Sequence, residues 1–231
     1  TYVGATLGAI GTNYGDVQLI GQGTQVFGGT NTYVGATTIN SGMTLSVGTL
    51  SQINSSVTGG GLNMGETGYL ALTSATTNTL SSTVTGSGYF VLSSGATLTV
   101  TSAATVSNTH FTVATGATVD LTGIAANAKT IGGLSGAGSA LVGNNTLVIS
   151  DIPSAGGVNS SAMPLFTGQI YNTGTSASTG GLTLSVPSGS AAPASGTIAG
   201  MAIGSTLTYT GATTINSGAT LALLNGGSIA N

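Results

Sequence analysis

Apart from its tyrosines, this sequence offers six ionisable side chains for proton transfer or metal ligation: Asp16, Glu66, Asp120, Lys129, Asp151 and His110. There is no cysteine and no arginine in 231 residues. General acid–base catalysis needs at least two titratable groups held within reach of one substrate. Asp120 and Asp151 are candidates for a shared face, and we read them instead as solvent-facing carboxylates at strand ends. His110 has no second histidine and no cysteine to join it, so a protein-only zinc site lacks ligands. Lys129 reads as a lone solvated charge.

The same scarcity excludes other chemistry. One lysine and no arginine cannot form the counterion-releasing surface that binds nucleic acid or anionic lipid. The many glycines form no GxxxxGK[ST] phosphate loop, no GxGxxG opening a helix and no GGxGxD calcium repeat. The expectation is a chain with no catalytic residues, no metal and no cofactor. No apolar run approaches the length of a membrane-spanning helix.

What the chain does carry is repetition. YVGATTINSGMTL, Tyr33 to Leu45, returns far along the chain as YTGATTINSGATL, Tyr209 to Leu221, with eleven of thirteen positions identical. YVGATL at Tyr2 reads as a worn third copy. A shorter period sets Gly88–Val100 over Thr109–Leu121, placing Phe90 on Phe111, Leu92 on Val113 and Leu98 on Val119. One step earlier, Gly68–Ser74 falls on Gly88–Ser94. Such a unit is the size of one coil of a β-solenoid.

The local pattern agrees. MTLSV (Met43 to Val47), TLTVT (Thr97 to Thr101), ATVDL (Ala117 to Leu121) and LTLSV (Leu182 to Val186) alternate apolar with small polar residues, as half-buried strands do. Gly-Ala, Asn-Ser-Gly and Gly-Gly steps between them supply corners. No helical period is sustained. The predicted fold is an all-β parallel solenoid of about 20–22 residues per coil, and some eleven coils at about 4.8 Å each make a rod on the order of 50 Å long. Pro153, Pro164, Pro187 and Pro193 cluster within 151–200, which reads as coils interrupted by looser Pro/Ser/Gly-rich loops. We expect 1–231 to be one solenoid segment of a longer repeat protein.

Tyr209 to Asn231, YTGATTINSGATLALLNGGSIAN, and Ile131 to Ile149, IGGLSGAGSALVGNNTLVI, resemble the autotransporter-associated β-strand repeat of passenger domains in bacterial type V secretion. That resemblance implies a right-handed parallel β-helix, secreted or displayed on the surface of a Gram-negative bacterium, and serving adhesion or surface structure. The membrane barrel of that family, with its aromatic girdles, has no counterpart in these residues.

Four functions compete for such a chain. Neither terminus reads as a polar cap, net charge is −3 and mean hydropathy is +0.43, so the first expectation is a non-catalytic structural rod. Such a rod would self-associate through its solenoid ends, or continue into further repeats, as an extracellular fibre, filament or coat. The second is an adhesin that uses the rod as a stalk and binds a surface receptor or matrix polysaccharide through its loops. A polysaccharide-cleaving β-helix needs clustered carboxylates that are nearly absent here. Ice or crystal binding through Thr-x-Thr ladders needs a regularity that the repeats do not keep.

Overall fold

The computed structural model describes residues 6–7, 15–29, 31, 33, 35–53, 62–65, 67–150, 164–172, 179–186 and 199–229. These residues form parallel strands stacked as a β-solenoid with three faces. The long face has ten strands in chain order: Thr6–Leu7, Gly23–Phe27, Met43–Val47, Tyr69–Leu72, Tyr89–Leu92, His110–Val113, Gly133–Gly136, Leu165–Phe166, Ala199–Ile203 and Ala219–Leu223. A second face carries Thr77–Leu80, Thr97–Val100, Thr118–Asp120, Ser139–Leu141 and Gln169–Tyr171, followed by the pair Thr206–Leu207 and Ser228–Ile229. The third face is split. Val17–Leu19, Thr37–Ile39, Leu62–Met64 and Val84–Gly86 form one sheet, and Ala128–Ile131, Thr146–Ile149, Leu182–Leu184 and Thr213–Ile215 form the other. Between the two sheets the chain passes without a strand, and Val84 N donates to Thr105 O at 3.0 Å.

The short-period alignment is a physical register. Tyr89 stands opposite His110, Phe90 opposite Phe111 and Leu92 opposite Val113, while Leu98 faces Val119 on the second face. Tyr69 stands opposite Tyr89 from the preceding coil. Period-2 alternation turns every second side chain inward, so the interior consists of columns of like residues. Leu45, Leu70, Phe90, Phe111 and Leu134 lie on successive rungs and all are buried. The Phe90 and Phe111 rings stack at 5.7 Å with 14° between planes.

Among the described residues the long face has ten rungs where eleven coils are expected, and the coils are of uneven length. Along the long face Val26 stands opposite Ser46, a single regular coil away. The coil from Gly136 to its partner Phe166 is half as long again, and the coil from Phe166 to its partner Ile203 is nearly twice as long. Both long coils fall where the prolines cluster. Pro164 accepts from Ala202 N at 2.9 Å, and Asp151, Pro153, Pro187 and Pro193 lie outside the described residues. The apparent third copy of the phrase is out of register. Thr6–Leu7 pairs with Val26–Phe27 on the long face, whereas Thr37, its counterpart in the alignment, stands opposite Val17 on the third.

The two true copies fold alike. Tyr33 and Tyr209 are each 1% exposed. Each shares a hydroxyl hydrogen bond of 2.6 Å, with Thr37 and Thr213 respectively. The Asn-Ser-Gly corner turns the chain from third face to long face, with Gly42 at φ 85° and Gly218 at φ 84°, a region that glycine enters without strain. Met43 N closes on Asn40 O at 3.1 Å, and Ala219 N on Asn216 O at 3.0 Å.

Candidate functional site

The few ionisable groups are dispersed. Asp16 Oδ1 accepts from Ala36 N at 2.7 Å, fixing the entry to the first phrase. Asp120 Oδ1 accepts from Thr122 N at 2.9 Å and from its hydroxyl at 2.6 Å, so the carboxylate closes its own turn. Glu66 and Asp151 lie outside the described residues. Among the described residues no group of three His, Cys, Asp or Glu could hold a metal ion.

Lys129 is not the solvated charge that its surroundings in sequence suggest. It stands opposite Leu147 in a core column, only 3% exposed. Its ammonium turns back to donate to the carbonyls of Ile124 and of Ala126, the latter at 2.8 Å. Burial lowers its pKa below the usual lysine value, because desolvation disfavours the charged form.

His110 completes an outward column of rings. Tyr69 and Tyr89 stack at 5.0 Å with 22° between planes, and Tyr89 and His110 at 4.7 Å with 26°. These separations match the rung spacing, so each ring face is turned toward a neighbouring rung. Gly133 follows above His110, and a Cβ there would overlap the imidazole. Rings packed this way are register elements and offer no free face for stacking a sugar.

A groove of about 310 Å³ lies between Thr49–Ser51 and Thr76–Thr79. It is bordered by the 3₁₀ turn Leu50–Gln52, whose Leu50 N donates to Asn78 Oδ1 at 2.7 Å. Its lining is hydroxyl, amide and leucine, with no ionisable side chain.

The exposed apolar side chains lie in outer described coils. Three large hydrophobic side chains of the described residues are exposed: Ile20 at 69%, Ile215 at 49% and Leu223 at 51%. Ile20 follows the first third-face strand, and the other two belong to the last coil. At the first end a cavity of about 270 Å³ is lined by Leu19, Ile20, Gln25, Phe27 and Met43, among others. At the last coil, Ile215 and Leu223 continue the columns of Ile131–Ile149–Leu184 and Phe166–Ile203. Tyr209, just before that coil, has its pKa raised by burial, against a smaller opposing effect of its hydrogen bond to Thr213.

Comparison with protein-family models, with curated proteins and with solved structures finds no match for this chain. The ends are invisible to motif reading because they carry core residues, distinguished only by what stacks on them. The one signal in the sequence is the repeated phrase itself, which places the same side chains in one copy at the interior and in the other at the last described coil.

Proposed function

We propose that this chain is a non-catalytic structural rod of an extracellular fibre or surface coat, built by end-to-end stacking of β-solenoid units or by tandem continuation into further coils. One observation carries the reading: in the last described coil Ile215 and Leu223 continue core columns and are about half exposed, while their counterparts Ile39 and Val47 in the first phrase are fully buried. An exposed run of core columns above an unpaired strand is a template for another coil. The resemblance to autotransporter-associated repeats supports a place outside a Gram-negative cell, in the manner of a secretion passenger. Electron microscopy of cell-associated material tests this. Unbranched filaments are expected, with an axial repeat near the rod length of about 45 Å for ten rungs. Isolated short rods at every concentration would sink the proposal.

A second reading, an adhesin that binds a receptor or matrix polysaccharide, is favoured by the two long coils, Gly136 to Phe166 and Phe166 to Ile203, within and beside the Pro-rich region. It requires that deleting residues 151–163 and 187–198 abolishes attachment while the rod still folds.

A further inference from the structure

We propose that Tyr69 and Tyr89 form an oxidative cross-linking site, at which a one-electron oxidant, a peroxidase fed with peroxide, joins two neighbouring coils through a dityrosine bond. The pair lies in mid-rod, with described coils on both sides, and belongs to one chain however copies associate.

A parallel solenoid brings like side chains together. Tyr69 stands directly opposite Tyr89 on the long face, and parallel strands in register project equivalent side chains from the same side of the sheet. Their ring centroids are 5.0 Å apart with 22° between planes. Leu70 and Phe90, the next residues along the two strands, are buried in the core, so the phenols lie on the outer surface. Both tyrosines are partly exposed. A rotation about the Cα–Cβ and Cβ–Cγ bonds therefore has room to bring the two ring carbons ortho to oxygen into contact.

The column confines coupling to this pair. Thr44 occupies the rung before Tyr69, and His110 the rung after Tyr89, its imidazole stacked on the phenol at 4.7 Å. Neither neighbour is a phenol. The remaining tyrosines are placed differently. Tyr33 and Tyr209 are each 1% exposed and share their hydroxyls with Thr37 and Thr213. Tyr171 stands opposite Leu141, and Tyr2 and Tyr14 lie outside the described residues. Among the described residues, Tyr69 and Tyr89 are the one stacked pair of phenols.

The chemistry balances within the pair and its oxidant. Each phenol gives up one electron and one proton to become a phenoxyl radical, whose spin is shared with the carbons ortho to oxygen. Two such carbons join, and each then passes its hydrogen to its ring oxygen, which restores two aromatic phenols linked carbon to carbon. The two electrons and two protons released reduce one hydrogen peroxide to two waters. The chain contains no cysteine and so no disulfide of its own. A biaryl bond between adjacent rungs closes one coil covalently and constrains the unfolded chain as a disulfide would, yet thiol reductants do not reverse it.

The test is oxidation of the full chain at about 1 μM with a haem peroxidase and hydrogen peroxide, read by dityrosine fluorescence and by mass spectrometry of linked peptides. Neighbouring rungs hold the phenols at an effective concentration of about 1 mM or more, about a thousandfold above that of a second chain at about 1 μM. The expected product is a single chain, lighter by two hydrogens, carrying a Tyr69–Tyr89 link whose yield per chain does not change on dilution. Tyr69→Phe and Tyr89→Phe keep the ring stack without the phenol, and each should lose nearly all of the fluorescence while retaining the parent circular dichroism. Tyr171→Phe should keep it. Oxidation in urea, with the rungs separated, should lose the link, and the linked folded chain should unfold at a higher urea concentration than peroxide-treated Tyr69→Phe. Peptide mapping of the parent chain decides the site without relying on any variant. Links that join mainly other tyrosines, a yield that falls in proportion to dilution, or no link in the folded chain while free tyrosine in the same mixture couples, would each overturn the proposal.

Discussion

Replacing Ile215 and Leu223 together with threonine should weaken association while costing the fold less than the same changes at the matched interior positions. Both positions continue core columns, yet the two side chains are 49% and 51% exposed. Fully burying such a side chain is worth about 1.5–3 kcal/mol, so covering the exposed half of each contributes about 1 kcal/mol, and about 2 kcal/mol for the pair. That corresponds to about a thirtyfold change in dissociation constant. Threonine has the β-branched shape that strands accept, but the half of each side chain already covered in the single chain is lost as well, so folding stability should fall by about 2 kcal/mol for the pair. Sedimentation velocity across a concentration series reads the first quantity and thermal unfolding the second. The matched interior changes, Ile39→Thr and Val47→Thr, should cost the fold more, since both sites are fully buried. The reasoning is refuted if the folded end variant associates within threefold of the parent chain, or if it melts as low as the interior variant.

Tyr33→Phe should destabilise the fold by about 1–3 kcal/mol, because the Thr37 hydroxyl, in a residue 1% exposed, loses its tyrosine partner with no route to water. Tyr209→Phe should cost less, since Thr213 is only partly buried; equal losses by denaturant titration would contradict this. Gly133→Ala should cost about 1–3 kcal/mol by driving a Cβ into the His110 ring. Adding His110→Ala to Gly133→Ala should then recover part of that loss, a non-additivity that a double-mutant cycle measures. Lys129 has a folded-state pKa lowered by burial, so the unfolded chain binds the extra proton across the window between the lowered value and 10.5. Stability should accordingly rise with pH through that window, an increase absent in Lys129→Met, as chemical denaturation at a series of alkaline pH values would show.

Much of the fold is legible in the sequence because a solenoid writes its register there. The pairing of Tyr69, Tyr89 and His110 can be read from the spacing of like phrases, and the strands at Met43–Val47 and Thr97–Val100 from alternation alone. A fixed period overcounts the coils because it ignores the long connections after Gly136 and Phe166, where stacking preserves the rung while the chain between rungs lengthens. Lys129 misleads because a charged residue in a loop-like stretch suggests solvent. Its aliphatic stem instead occupies a core column and two backbone carbonyls satisfy the ammonium, an arrangement open to any long cationic side chain. Thr6–Leu7 resembles the phrase in composition only. Register there is decided by the strand edge left free at Val26–Phe27, and so short a likeness cannot compete with it. The ends cannot be recognised from residue type, since Ile215 and Ile39 are the same residue in the same phrase.

The scarcity of charge also follows from stacking, and it sets how assembly should respond to salt. A charge copied from coil to coil would stand about 4.8 Å from its twin, a repulsion of about 1 kcal/mol in water and several times that near a protein surface. Among the described residues Asp120 and Lys129 avoid that geometry: Asp120 lies between Thr99 and Leu141, and Lys129 beside Leu147. Hydroxyl columns carry no such penalty and can bond from rung to rung, as Thr112 and Ser135 do at 3.0 Å. Residues 17–27 and 213–229, in the outer described coils, contain no charged residue at all. Association driven by such surfaces should be nearly flat in sodium chloride while the Debye length shrinks from about 30 to about 10 Å, and should strengthen in sulfate, which is excluded from apolar surface. Light scattering at constant protein concentration distinguishes this from charge-driven assembly. A steep gain of association with added chloride would mean that copies meet where Asp16, Asp120 or other acidic side chains face one another, so that screening relieves their repulsion, and not through the apolar columns alone.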